Sequence, residues 1–341
     1  MTTHYTIRGG IDSTAVFKEE ATYAADPGTW TANTLHFGIT QRVTPSLSRS
    51  LVKTRGLPGS LPALHTTKTA RDAQSILAGK SDLTIDVDYQ PQNFKFLKYV
   101  LGSSSTVTTT TTYPQAEAST EADKRKYLTV PSFTVMQRFD FDGSGDAADT
   151  VLKFLGMKVN SWTLTASLGD PISCSTNLMG SDVLHDQTNV DTSYPYTALE
   201  AGDVYHFVES EIDIGGTPLV NLIEGITIEV GNNAQGLGDI RKYTNQAVVV
   251  MGRDFSLKID MNFENITYLK SLISAAGTGV EAPAKIDTMT FKLTKGSQVA
   301  TFTFKDLKMS DGLPGMSYGE ISKENLQLQA ELMYVTEVIP A

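Results

Sequence analysis

From Asp82 to Tyr89 the chain alternates strictly between polar and apolar residues: Leu83, Ile85, Val87 and Tyr89 fall on one side, Asp82, Thr84, Asp86 and Asp88 on the other. A period of two marks a strand with one buried face. Pro91 then suits the first turn of a helix. Phe94, Leu97 and Leu101 recur at spacings of three and four before Gly102. That spacing predicts a short helix near 92–101, stopped by the glycine. The local unit is strand, turn, helix.

The same unit recurs 172 residues later. Phe255, Leu257, Ile259 and Met261 take the apolar places, and Asp254 and Asp260 replace Asp82 and Asp88. Asn265, Leu269 and Lys270 replace Asn93, Leu97 and Lys98 inside a second predicted helix, near 264–273. Two periodicities repeated in one order argue for an internal duplication. The match extends upstream, where Gly38, Ile39 and Thr40 echo Gly225, Ile226 and Thr227 at an offset of 187. Downstream, Phe133 and Val135 resemble Phe291 and Leu293 at an offset of 158. Phe154, Met157, Lys158 and Val159 then resemble Phe304, Leu307, Lys308 and Met309 at an offset of 150. Final strands are expected at Ile172–Leu178 and Asn325–Leu332.

The expected fold is mainly β: two tandem β-sandwich or barrel domains, each with one short helix, plus long loops and an N-terminal arm. Residues 1–32 form the arm, with a strand at Tyr5–Arg8 and a turn at Pro27 and Gly28. The first domain spans 33–182, a linker 183–217 and the second domain 218–341. The linker is expected to hold a strand near Val204–Val208. Residues 47–80 are polar and broken by glycine and proline, which predicts a long loop or loose hairpin, with 231–246 as its shorter counterpart. Residues 102–126 form a threonine-rich connector. Loops this long in a compact protein are often functional, and contacts between subunits would give them a role.

Composition narrows the function. With 341 residues and 40% hydrophobic content, the chain can bury two cores. A net charge of -10 gives no basic surface for tight nucleic-acid binding. It is compatible with an acidic channel through which DNA passes without adhering. Cys174 is the sole cysteine, so no intrachain disulfide or cysteine-cluster zinc site is expected. No apolar run reaches membrane-spanning length. The N-terminus lacks the pattern of a signal peptide, and synthesis in a cytosol is expected.

Candidate chemistry is sparse. Asp140, Asp142, Ser144, Gly145 and Asp146 begin like a calcium loop, but Val151 stands where its glutamate belongs. Asp82, Asp86 and Asp88 share one strand face, yet Lys258 replaces Asp86 in the repeat, so a solvated face is favoured over a carboxylate site. The five histidines lack ligand spacing. Cys174 carries no catalytic signature around it. Trp30, Trp162 and Tyr89 could form a sugar platform, but packing is the default reading. No catalytic residues, cofactor or metal are expected.

Several segments together resemble the tail tube proteins of long-tailed phages and related tailed viruses, in particular the larger members with a duplicated tube domain. The arm carries Glu19, Glu20, Thr22 and Tyr23 before Pro27. The middle carries Pro131, Ser132, Phe133, Thr134 and Val135, and the stretch Phe154–Ser161 runs through Gly156, Met157, Lys158 and Val159. The resemblance covers most of residues 15–338. It implies a structural virion protein without enzymatic activity. It further implies that tube domains join into a β-barrel around a lumen, six domains to a ring, so that three duplicated chains make a pseudo-hexameric ring. Rings stack into a tube that conducts DNA during ejection. The implied partners are further copies of the chain, a tape-measure protein and tail-tip or terminator proteins, with host cytoplasm as the location before assembly. Asp82, Asp86, Asp88, Asp254 and Asp260 are candidates for an acidic lumenal wall. Competing readings are a virion adhesin or carbohydrate-binding β-sandwich, and another capsid or tail-completion component.

Overall fold

The computed structural model describes residues 13–28, 30, 34–55, 74–114, 130–139, 150–186, 203–218, 223–239, 242–262, 285–311 and 323–339. The strand expected at Tyr5–Arg8, the acidic turn at 140–149 and the second helix at 264–273 lie outside these residues.

The first part of the chain forms β1 (Ser13–Glu19), β2 (Leu35–His36), β3 (Ile39–Arg55), β4 (Gln74–Gln90), helix α1 (Leu97–Leu101), β5 (Ser105–Val107), β6 (Thr110–Tyr113), β7 (Phe133–Phe139), β8 (Thr150–Ser167), β9 (Ser173–Gly180) and β10 (Asp182–Asp186). The second forms β11 (Ser210–Ile214), β12 (Thr217–Pro218), β13 (Ile223–Gly231), β14 (Ala234–Asp239), β15 (Lys242–Val250), β16 (Asp254–Asn262), β17 (Ile286–Lys295), β18 (Gln298–Asp311), β19 (Lys323–Ala330) and β20 (Leu332–Val338). The protein is mainly β, and among the described residues the single chain closes no barrel.

Eight strands form one antiparallel sheet in the order β3, β4, β9, β8, β13, β16, β19, β18. The first four and the last four repeat one another in order and register. Ile85 opposes Leu178 and Leu257 opposes Leu328. Lys158 opposes Met179 and Lys308 opposes Gln329, and each pair of strands then slips at one bulge, before Ser161 and before Asp311. The offsets of 172 and 150 read from the sequence therefore hold in three dimensions. The other two are corrected by strand pairing. Val43 opposes Val87 and Ile226 opposes Ile259, so Ile226 stands 183 residues after its counterpart Val43, and Ile39 is not its equivalent. Val135 and Met289 share a register, opposing Phe154 and Phe304, so the offset there is 154 and Phe133 does not match Phe291.

β8 and β18 each serve two sheets. The first half of β8 pairs with β7 and β10, with β1 beyond β7. The first half of β18 pairs with β17 and β20, with β11 beyond β17. The change of sheet occurs at Gly156 and at Asp306, both with positive φ (+68° and +58°). A bulge that bends a strand is how a chain turns a corner between packed sheets.

The alternation of Asp82–Tyr89 is realised: Leu83, Ile85, Val87 and Tyr89 are buried and the aspartates face out. Between the layers, the ring of Phe17 lies 4.6–5.6 Å from those of Phe37, Phe96, Tyr99 and Phe133. Helix α1 is shorter than its periodicity suggests, because Phe94 and Phe96 sit in turns ahead of it while still packing in the core. Gly102 ends it as expected, with φ +98° and its N–H on Lys98 O.

Strands run into four segments read as loops or connectors, and at 47–80 and 231–246 they take the loose-hairpin form that was one of the two expectations. The 47–80 segment continues β3 to Arg55 and resumes as β4 at Gln74. The threonine-rich connector forms the β5–β6 hairpin, and β6 adds to the edge of β20. In the linker, Phe207–Glu209 is a 3-10 turn rather than a strand, and the strand follows at Ser210–Ile214. Glu211, Ile212, Asp213 and Ile214 alternate polar and apolar, so the segment carries a strand pattern of its own, and it pairs along the edge of β17.

Candidate assembly surface

The outward face of the eight-stranded sheet is polar along most of its length, with half-buried Met179 as an apolar exception. Asp82, Asp86, Asp88, Asp254 and Asp260 all lie on it. Between them come Ser161, Thr163, Thr165, Ser175, Asn177, Gln327 and Gln329. Asp88 pairs with Arg42 (2.6 Å) and accepts from Ser175 (2.8 Å), and Asp86 accepts from Asn177 (2.7 Å). Asp82 pairs with Lys80 (3.0 Å) and Asp260 with Lys258 (3.1 Å). These contacts are exposed and individually weak. Glu229 joins the face beside Ser256. Six carboxylates (Asp82, Asp86, Asp88, Glu229, Asp254, Asp260) share that face with five cations (Arg42, Lys80, Lys158, Lys258, Lys308), a small negative excess.

The two halves meet where β8 pairs with β13, from Ser161 opposite Gly231 to Ser167 opposite Gly225. This junction buries Ile226, Ile228 and Val230 at 0–1% exposure. By register their counterparts on β3 are Val43, Pro45 and Leu47. Leu47 is 57% exposed and Pro45 is exposed. The same strand position is therefore covered on β13 and bare on β3. At the far end of the sheet, β18 pairs with β19 through Lys308–Asp311, and its other edge there has no strand beside it among the described residues.

The β14–β15 hairpin folds back from the second half and lies against β4, β8 and β9 of the first. Asn232 and Arg253 fix its base. The Asn232 amide donates to Val159 O (3.1 Å) and to Val100 O (3.0 Å), and its own carbonyl oxygen accepts from Arg253 Nε (3.1 Å). Arg253 Nη1 donates to Leu101 O at the end of α1 (2.7 Å), where the helix presents its negative pole. Burial pushes the Arg253 guanidinium down to about 10. Further out, Asn245 donates to Gly180 O (3.0 Å) and accepts from Ser181. The hairpin agrees with one of the two forms expected for 231–246, but neither Asn232 nor Arg253 was singled out in the sequence. Alignment by strand register would have set Asn232 on Arg49 and Arg253 on Ser81.

The segments that carried the family resemblance come together at the β8 corner. Glu20 is buried and accepts from Ala24 N–H (2.9 Å), Thr134 Oγ (2.8 Å) and Gly156 N–H (2.7 Å). Tyr23 packs over Gly156, so a Cβ there would lie 3.0 Å from its ring. Burial pushes the Tyr23 hydroxyl up to about 12. Lys158 stands over the same ring, 5.8 Å from its centre.

The remaining candidates are packed away from solvent. Trp162 donates to Tyr89 Oη (3.0 Å) inside the core, and Trp30 is buried beside Val16, Met136 and Val151. The three rings thus form no exposed platform. Cys174 is buried, and burial pushes its thiol well up from the usual range. Among the described residues, no group of three or more His, Cys, Asp or Glu could hold a metal ion. An open cavity of about 610 Å³ between β1, α1 and the β5–β6 hairpin is lined by Lys18, Glu19, Lys98 and Tyr99. Its Lys98 ammonium is engaged by Glu19, which also accepts from Tyr99 (3.0 Å).

The profile of the phage tail tube protein family matches residues 10–330, nearly the whole length. No curated protein matches the chain.

Proposed function

The chain belongs to the phage tail tube protein family, a structural component of the virion tail, and on that premise we propose that three copies close into a ring of six tube domains. The domains are taken at about 33–182 and 218–341, with β1 and β11 as equivalent outer strands. Rings stack into the tube, and the negative sheet face lines its lumen. The observation that supports this is the contrast between β13 and β3: one edge is filled by β8, while its repeat exposes Leu47 and Pro45. Asp311, at the end of β18, is the repeat of Ser161, where β8 begins to fill β13, and the rest of that repeat, 312–317, lies outside the described residues. Pairing β18 of one chain with β3 of the next satisfies both edges and abolishes an aggregation hazard. Rotation closes the ring, and a non-closing contact along the axis extends it.

Three chains would supply twenty-four strands. With strands about 4.8 Å apart and tilted by about 40°, the barrel is roughly 45–50 Å across, wider than a DNA duplex. An acidic, hydroxyl- and amide-rich wall repels phosphates, so DNA crosses without sticking. Such a protein works by assembly rather than catalysis. Its partners are its own copies, a tape-measure protein in the lumen, and tail-tip and terminator proteins at the ends, which it joins after synthesis in host cytoplasm.

Electron microscopy of the purified chain tests the reading. Stacked hollow rings with three chains per layer are expected. Six chains per layer would overturn the stoichiometry, and a strict monomer over a range of concentration and salt would overturn the tube. A compact oligomer would favour the adhesin or tail-completion readings.

A further inference from the structure

We infer that Arg49 and the hairpin extension beyond it dock on the second half of the neighbouring chain, repeating between chains the cover that β14–β15 provides within one. The inference rests on the ring reading and adds to it a specific contact.

The first observation is a matched pair of residues. Arg49 opposes Ser81 across β3 and β4, and its Nε donates to Ser81 Oγ (3.0 Å). By register their counterparts are Asn232 and Arg253, and there Arg253 Nε donates to Asn232 Oδ1 (3.1 Å). Both pairs sit where a hairpin leaves the main sheet, and the arginine has changed strand between them. The pair in the second half is anchored on the first half, through Val100 O, Leu101 O and Val159 O. Asn232 N–H also donates to Asn160 O (2.7 Å), which continues the β8–β13 ladder by one residue. Arg49, by contrast, is exposed.

The second observation is the missing cover on the receiving side. The first half is closed where the β14–β15 hairpin rests: Val159 is fully buried, and Gly180 and Ser181 are buried. Their counterparts 150 residues on are Met309, Ala330 and Glu331. Met309 and Ala330 are half-buried and Glu331 is exposed. Nothing in the same chain plays the part of β14–β15 on that surface among the described residues. A second copy brings a suitable occupant. Once β3 pairs with the neighbour's β18, Arg49 arrives opposite Ser310, as Asn232 stands opposite Asn160. Its guanidinium then meets the carbonyl of Met309, the equivalent of Val159 O, and the strands at 51–55 and 74–78 continue over β19.

A cysteine pair tests the contact. Residues opposed across a ladder have Cα atoms close enough for a disulfide, and native Cys174 is buried and does not compete. The Arg49→Cys/Ser310→Cys variant, oxidised after tube formation, should give cross-linked dimers and trimers on non-reducing gels, with none in unassembled chain or in either single variant. Arg49→Ala should raise the concentration needed for assembly by about tenfold, the worth of one charge-assisted contact, while the urea midpoint of unassembled chain stays put. Tubes of three chains per layer that never cross-link through this pair would overturn the docking and leave the ring standing. A disulfide within one chain, or an equal loss of stability in unassembled Arg49→Ala, would also overturn it. Failure of the otherwise unaltered chain to form rings would overturn the ring reading itself.

Discussion

Glu20 holds the first corner of the fold, and its replacement should be costly in a graded way. Its carboxylate accepts three hydrogen bonds, from Ala24 N–H, Thr134 Oγ and Gly156 N–H, at a site 8% exposed. Oε1 serves Thr134 and Gly156, and Oε2 serves Ala24. Glutamine can keep the two bonds to its carbonyl oxygen, but it sets an amide N–H₂ against the N–H of Ala24. One charge-assisted bond is lost, and the other two weaken with the charge. A hydrogen bond to a charged group is worth about 1.5–3 kcal/mol, so Glu20→Gln should destabilise by about 2 kcal/mol. Alanine removes every acceptor and leaves the Gly156 N–H and the fully buried Thr134 hydroxyl without them. Glu20→Ala should therefore cost about 4 kcal/mol. Urea unfolding of unassembled chain reads both, with the buried Trp30 and Trp162 as fluorescent reporters. A urea slope of about 3 kcal/mol per molar puts the glutamine shift near 0.7 M. A Glu20→Gln change below about 0.5 kcal/mol, or an alanine variant no worse than the glutamine one, would refute the reasoning, because the three bonds would not then be what holds the corner.

Two further substitutions probe the same architecture. Gly156→Ala places a Cβ 3.0 Å from Ser181 Cβ and Tyr23 Cζ at φ +68°, so strain and crowding together should lower stability by about 2–3 kcal/mol in the same urea assay. Glu337 is a buried acid whose pKa burial raises, while it accepts from Phe94 N–H (2.9 Å) and Tyr113 Oη (3.4 Å). Because its folded pKa exceeds its unfolded one, the native state holds the proton more tightly. Stability should fall as pH climbs from the ordinary carboxyl range through the folded pKa, then level off. Glu337→Gln should remove that slope, as followed by urea midpoints between pH 4 and 8.

The main sheet was legible in the sequence because its two faces differ sharply. Buried Leu83, Ile85 and Val87 alternate with solvated aspartates, and the repeat preserves that contrast at Phe255, Leu257 and Ile259. The offset of 150 was legible for the same reason. The offset of 187 misled because Gly-Ile-Thr recurs by composition, while pairing is fixed by which residues face each other across the ladder. The strand at Ser210–Ile214 was readable from the alternation of Glu211, Ile212, Asp213 and Ile214, and was missed because the strand was expected earlier, near Val204–Val208. The candidate assembly surface was half legible. Acidic residues on one strand face could be read, and all five share one surface. The Asn232–Arg253 pair could not, since its meaning lies in carbonyls of α1 and β8 more than 70 residues earlier in the chain.

Duplication changes the arithmetic of the proposed ring. Six separate domains would need five bimolecular associations before the ring closes on itself, each opposed by lost translational and rotational freedom. A tandem pair makes every second join intramolecular, at the high effective concentration of a short tether. That join is already built between β8 and β13, and it buries Ile226, Ile228 and Val230. Only three joins then wait for other chains. Leu47 carries part of each, since burying the exposed part of a leucine is worth about 1 kcal/mol. The copies must also avoid pairing like with like. A first half that accepted another first half would leave two β18 edges unused and break the three-chain count. Moving the arginine from Arg253 to position 49, and giving the second half Met309 and Ala330 where the first has Val159 and Gly180, makes the two junctions chemically distinct. In the proposed ring, divergence between the repeats would thus separate the contact completed on folding from the contact left for a neighbouring chain.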